Sequence, residues 1–90
     1  MPCLHQLNHS SKLNHCLTFI AEGDSLLLLE AATSLAIQSD WLACLPKQVK
    51  VYVLAQDLKA RALQALDGIT LIDDSRWVEL TLEAKSVCTW

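Results

Sequence analysis

Short, mostly apolar runs alternate along this chain with segments of helical spacing, and this alternation limits the folds that it can adopt. The runs are four or five residues long, the usual length of a strand. Five of them are predicted as strands: 3–7, 26–29, 50–54, 69–72 and 87–90. The leucine run at 26–29 has no polar alternation, which favours a strand buried on both faces. Strands that alternate with helices predict a largely parallel sheet with helices on both faces.

Capping residues and apolar side chains that recur every three or four positions mark the helices. They are predicted at 11–22, 31–38, 40–45 and 57–66, with a last helix capped by residues 73–75. Gly23 is suited to a left-handed turn after the first helix. Asp57 and Arg61 lie one turn apart and are expected to pair. With right-handed crossovers, this order predicts one α/β domain over residues 1–90, a small doubly wound, flavodoxin-like fold of about five strands.

The composition suggests that the domain docks against other chains. Of its 90 residues, 52% are apolar and 19% are charged. A domain of this size buries only roughly 60–65% of the surface of its unfolded chain. Apolar side chains with no room in the core would then mark an interface. Trp77 and Trp90 are the candidates, with completion of the core as the alternative for either.

Charge and hydropathy exclude several classes of function. The net charge is −3 and the seven basic residues are scattered, so direct nucleic-acid binding is not expected. The longest purely apolar run, Leu26 to Leu29, is far shorter than the ~20 residues of a membrane span. The N-terminus lacks the pattern of a secretory signal. These features predict a cytoplasmic protein with no membrane partner.

Polar residues at the predicted strand ends carry no cofactor motif. Neither GxGxxG nor a P-loop occurs, so neither a dinucleotide nor a nucleoside triphosphate is indicated, and no cofactor is expected. Asp73 and Asp74 suit a metal or acid–base pair, but helix capping is the favoured interpretation. His5, His9 and His15 are interpreted as ordinary surface or partly buried histidines rather than metal ligands.

The four cysteines, Cys3, Cys16, Cys44 and Cys88, are widely and irregularly spaced. Without a CxxC pair, neither a disulfide nor a zinc site is expected, and no metal is predicted. Cys16 belongs to the apolar stripe of the first helix, so the residues alone favour a structural role. Burial within a helix raises a thiol pKa and blunts its reactivity.

Several stretches, in order along nearly the whole chain, resemble the TusB/DsrH family, a branch of the DsrE/F/H-like superfamily. The opening MPCLHQLNHS resembles that family's first strand and turn. EGDSLLLLE (22–30), KVYVLAQDLKARAL (50–63), Ile69 to Asp74 followed by WVELT (77–81), and the final SVCTW resemble further family segments. Each segment is weakly specific alone, and their shared order carries the resemblance.

The resemblance implies a subunit of a sulfur-relay complex, a heterohexamer with two related small subunits of TusC/TusD or DsrF/DsrE type. Such complexes pass persulfide sulfur to a small carrier protein of TusE/DsrC type. In the Tus branch the sulfur reaches 2-thiouridine at tRNA wobble positions, and in the Dsr branch the complex serves sulfur oxidation. The family's subunit of this kind is regarded as supporting, so the chain alone is not expected to be an enzyme.

Three hypotheses about function follow. The first is an assembly subunit of a complex that serves tRNA thiolation. The second is a sulfur-carrying, DsrH-like subunit, because Cys16 aligns with a cysteine of DsrH-like members and would be the persulfide acceptor. The third is a free-standing binder of a small molecule at the strand ends. The resemblance counts against a ligand loop after the second strand, where Ala31 and Ala32 replace the family's Asp-Gly.

Overall fold

The computed structural model describes residues 3–90, which form one five-stranded sheet and the helices that cover it. The strands are β1 (Cys3–Leu7), β2 (Ser25–Leu28), β3 (Lys50–Leu54), β4 (Ile69–Ile72) and β5 (Ser86–Thr89). The α-helices are α1 (Leu13–Phe19), α2 (Ala55–Ala60) and α3 (Asp74–Glu83). Three 3₁₀ segments accompany them: Ser10–Lys12, Glu30–Ile37 and Asp40–Cys44.

All neighbouring strands run parallel, in the order β4-β3-β2-β1-β5. The chain therefore steps in one direction from β1 to β4 and then crosses the whole sheet to place β5 beside β1. Right-handed crossovers put the first three connections on one face and α3 on the other. The predicted doubly wound α/β fold, with a mostly parallel sheet of about five strands, is confirmed, and all five strands are parallel.

Two apolar cores lie on the two faces of the sheet. The larger packs α1, α2 and the two longer 3₁₀ segments against one face, and it includes Leu7, Cys16, Leu28 and Val53. The smaller lies under α3 and includes Leu4, Leu27 and Leu80. Every residue of β2 is buried, as the leucine run predicts.

The second face is less completely covered than the first. One ten-residue helix, α3, is the element that crosses it. A cavity lies on each side of this helix, one lined by Lys50, Tyr52 and Arg76 among others, and the second by Gln6, Trp77, Val78 and Thr81. Within residues 3–90, no helix is both long enough and apolar enough to cross a bilayer.

Several predicted helices are shorter than expected or of a different type. The first, expected over 11–22, is a 3₁₀ turn followed by α1, which ends at Phe19, and Gly23 adopts its left-handed angle (φ 85°) in the turn beyond. The segment after β2 is 3₁₀ rather than α. The helix expected to reach Leu66 ends at Ala60, because Ala62 turns left-handed (φ 53°) and directs Leu63 and Leu66 onto the core as irregular chain.

The predicted ion pair between the side chains of Asp57 and Arg61 does not form, so this prediction is wrong. The guanidinium of Arg61 donates to the backbone carbonyl of Asp57 at 3.4 Å. The Asp57 carboxylate instead accepts from the backbone N–H of Glu30 at 2.8 Å. Glu30 has a φ of 48°, so the loop after β2 adopts a left-handed turn without a glycine. The carboxylate of Asp57, which lies in the first turn of α2, stabilises this strained turn through its hydrogen bond to Glu30.

Candidate functional site

The densest group of reactive side chains lies where the first and last strands run side by side. In the β1–β5 register, His5 is opposite Cys88 and Cys3 is opposite Ser86. Residues two apart on a strand share a face of the sheet, so Cys3 and His5 point the same way. Asp24, just before β2, and the C-terminal Trp90 complete the group. We call Cys3, His5, Asp24, Cys88 and Trp90 the terminal-strand cluster.

His5 is buried and both of its ring nitrogens are hydrogen-bonded. Nε2 lies 2.9 Å from a carboxylate oxygen of Asp24, and Nδ1 lies 3.2 Å from the indole nitrogen of Trp90. An indole N–H can only donate, so Nδ1 is the unprotonated nitrogen. Nε2 therefore carries the proton and donates to Asp24. The prediction of an ordinary surface or partly buried histidine is wrong for His5, whose residue surface is only 2% exposed.

The Asp24 carboxylate joins three parts of the chain. Its Oδ2 accepts from the N–H of Ala21 at 2.9 Å as well as from His5, and its Oδ1 accepts from the N–H of Cys3 at 3.2 Å. Burial raises the pKa of this carboxyl, but the hydrogen bonds from Ala21, His5 and Cys3 outweigh it and hold the pKa below the usual value. Asp24 is thus ionised at neutral pH and fixes the position of the imidazole.

Two thiols, those of Cys3 and Cys88, lie close to each other and to His5. The Sγ atoms of Cys3 and Cys88 are 3.5 Å apart, although the residues are separated by 85 positions in sequence. Both side chains are half-buried. Burial, together with neighbouring Cys88 and Asp24, raises the pKa of Cys3 despite a hydrogen bond from Ser86 that opposes the rise. One ligand atom from each of Cys3, His5 and Cys88 lies within 4.8 Å of the others.

Cys16, the candidate persulfide acceptor, lies in the larger core and is fully buried. Burial, and to a smaller extent the charges that Cys88 and Cys3 would carry, raise its pKa to about 11. At neutral pH it is therefore a protonated thiol without solvent contact, whereas nucleophilic attack requires the thiolate. Within residues 3–90, no group lowers the pKa of Cys16 and so activates it as a nucleophile.

The other candidate residues have local structural roles. Asp73 caps α3, accepting from the N–H of Arg76 at 2.8 Å, as predicted. His9 caps the first 3₁₀ turn through Nδ1 at 3.1 Å from the N–H of Ser11. His15 stacks on Phe19, with ring centroids 5.4 Å apart, and contacts Trp90. These two histidines lie outside the terminal-strand cluster.

The two tryptophans predicted at an interface are both half-buried and anchored from inside. The indole of Trp77 donates to the side-chain carbonyl of Gln6 at 2.6 Å. Trp90 packs on the larger core and groups with Phe19, at 5.4 Å between ring centroids. Phe19 is itself 61% exposed. Each indole therefore has a fixed inner edge and an open outer side, and an interface role for either stays a prediction.

Sequence reasoning missed the terminal-strand cluster because it compared cysteines only with their neighbours along the chain. The spacing argument against a zinc site does not apply to ligands that come from two adjacent strands. One signal was available: Cys3 and His5 are two apart on one predicted strand, and Cys88 lies on another. The missing information was that β5 pairs with β1.

Comparison with known proteins places this geometry in context. The model of the family described as DsrH like protein matches residues 8–87. The TusB protein of Escherichia coli K12 is 37% identical over 94 residues, covering 97% of this chain and 99% of that protein. TusB of Salmonella arizonae is 33% identical with the same coverage. The crystal structure of the YchN protein from E. coli matches over all of both chains with a TM-score of 0.72 and 16% identity, which is a likeness of fold. The chain therefore belongs to the TusB/DsrH family.

Proposed function

We propose that this chain is an assembly subunit of a sulfur-relay complex that passes persulfide sulfur toward 2-thiouridine at tRNA wobble positions. The observation that carries the proposal is the family match over residues 8–87, joined by near-full-length identity to TusB proteins. The partners are two related small subunits in a heterohexamer and a downstream carrier protein. The expected location is the cytoplasm.

The state of Cys16 supports an assembly role over a sulfur-carrying one. A persulfide acceptor attacks as a thiolate and must meet its donor. Cys16 is fully buried and its pKa is raised to about 11 by that burial. The alternative, in which Cys16 carries sulfur as in a DsrH-like subunit, would require α1 to leave the sheet before each transfer.

The outer surface of α3 supports docking against a related subunit. Val78 and Leu82 are one turn apart and 58% and 80% exposed, so together they form an apolar stripe that faces solvent. The stripe borders the cavity beside Trp77. A surface of this kind is typical of interfaces between subunits, where aromatic and aliphatic side chains supply the buried centre.

The first test is affinity purification of the tagged chain from its native cells. We expect two similar-sized subunits to co-purify with it. Charged substitutions in the stripe, Val78→Glu with Leu82→Glu, are expected to abolish their recovery, because burying two carboxylates without partners is unfavourable. Ile37→Glu, at another exposed apolar residue (46%), is the matched control. Recovery of the chain with no related subunit would refute the assembly proposal.

The second test measures 2-thiouridine in tRNA by mass spectrometry in cells that lack this chain. We expect the modification to fall, and to return when either the native chain or Cys16→Ser is supplied. Restoration by the native chain but not by a folded Cys16→Ser variant would favour the sulfur-carrying alternative. Unchanged 2-thiouridine in the deletion strain would exclude the tRNA branch.

A further inference from the structure

We propose that Cys3, Cys88 and His5 form a binding site for a thiophilic divalent cation, with Zn²⁺ as the fitting ion. Two thiolates and one imidazole are a ligand set that zinc takes in proteins, and a fourth position then stays open to water or another ligand. This site is separate from the sulfur-relay role and does not depend on it.

The spacing of the ligand atoms fits a tetrahedral ion. With Zn–S bonds of about 2.3 Å, two sulfurs on one tetrahedral zinc are about 3.8 Å apart. The Sγ atoms of Cys3 and Cys88 are 3.5 Å apart. The ligand atoms of Cys3, His5 and Cys88 all lie within 4.8 Å of one another, so side-chain rotations suffice to close the site.

The groups around His5 also match those of a metal-binding histidine. Histidines that ligate a metal commonly donate their second ring N–H to a carboxylate, which fixes the tautomer and the ring plane. Here Nε2 donates to Asp24 at 2.9 Å, which leaves the lone pair on Nδ1. The indole N–H of Trp90 now occupies that lone pair at 3.2 Å and would give it up to the cation. Trp90 is half-buried and follows the last residue of β5, so this movement needs only a rotation of its side chain.

The two cysteines supply the negative charge that the ion requires. Both thiols lose their protons when they bind, so each zinc releases about two protons and the two thiolates neutralise the ion. The half-buried positions of Cys3 and Cys88 give the ion a path from solvent. Asp24 adds a negative charge behind the imidazole, which increases its basicity as a ligand.

The test is titration of the purified, metal-free chain with Zn²⁺ by calorimetry in buffers of different ionisation enthalpy. We expect one ion per chain and about two protons released. Replacement of zinc by Co²⁺ should give thiolate-to-cobalt charge-transfer absorption. Cys3→Ser and Cys88→Ser should each weaken zinc binding at least about 100-fold, since each removes a thiolate ligand.

Cys44→Ser, at an exposed cysteine outside the cluster, is the matched control and should bind zinc as the native chain does. Circular dichroism without metal establishes that each variant is folded. Zinc binding that survives in both Cys3→Ser and Cys88→Ser, or cobalt spectra without thiolate bands, would overturn the site. The cobalt spectrum tests the native chain directly, so the result does not depend on the variants.

Discussion

Replacing Asp24 with Asn tests the central role given to this carboxylate. The substitution keeps the shape and one carbonyl oxygen but removes the charge. Its best orientation puts the oxygen where Oδ2 accepts from Ala21 and His5, and the amide NH₂ then faces the N–H of Cys3, which now donates to Oδ1 at 3.2 Å. At least one partly buried donor, the N–H of Cys3, loses its acceptor.

The expected loss of stability follows from those contacts. A buried donor without a partner costs about 1–3 kcal/mol, and two charge-assisted hydrogen bonds become neutral ones of roughly half the strength. We therefore expect the free energy of unfolding to fall by about 2–4 kcal/mol, against a total of about 5–13 kcal/mol for a domain of this length. The midpoint of thermal unfolding should fall by at least about 8 °C.

The assay is equilibrium unfolding in urea, followed by tryptophan fluorescence, at several pH values. The folded pKa of Asp24 lies below its ordinary value, so its stabilisation is present above about pH 4 and is lost as the pH falls through the folded pKa. The difference in free energy of unfolding between the native chain and Asp24→Asn should therefore become smaller at acid pH.

Asp73→Asn is the matched control for this experiment. It alters the exposed cap of α3, where Asn and Asp are nearly equivalent, and should change the stability by less than about 0.5 kcal/mol. A similar stability of Asp24→Asn and Asp73→Asn at neutral pH would refute the reasoning about the buried carboxylate.

Two further predictions concern the core and the thiols. Leu80 is the fully buried residue of α3, and Leu80→Ala should lower the free energy of unfolding by about 2–5 kcal/mol. Leu82 lies on the same helix but is 80% exposed, so Leu82→Ala should change that free energy by less than about 0.5 kcal/mol. Urea titration compares the two variants, and equal effects would contradict the placement of α3. Iodoacetamide at neutral pH should modify the exposed Cys44 at least about tenfold faster than Cys16, because burial raises the pKa of Cys16 to about 11. Peptide mass spectrometry measures both rates, and faster modification of Cys16 would contradict its burial.

The strands could be predicted from sequence because their pattern is local. Four consecutive leucines, or Val51-Tyr52-Val53, specify a buried strand largely independently of the rest of the chain. Helix ends were less predictable. Ala62 has no residue signal for a left-handed angle, and the helix before it ends because the following segment packs across the core, with the N–H of Leu66 donating to the carbonyl of Ala36.

The candidate site depends on strand order, which local patterns do not contain. Cys3 and Cys88 are ordinary strand residues until β5 is placed next to β1 rather than beside β4. The same placement brings Trp90 to His5. The capping role of Asp73, by contrast, was predictable because a cap and its helix are adjacent in sequence.

The position of β5 beside β1 also affects how the chain folds as it is synthesised. β1 is synthesised before the other four strands of this sheet, yet one of its two hydrogen-bonding edges pairs only with the four-residue strand β5. Nascent chains fold from the N-terminus onward, and pairings between distant segments form slowly. A nascent chain that contains β1 to β4 but not yet β5 therefore exposes the free edge of β1, together with Cys3 and His5. Synthesis of β5 is therefore the step that allows the sheet to close.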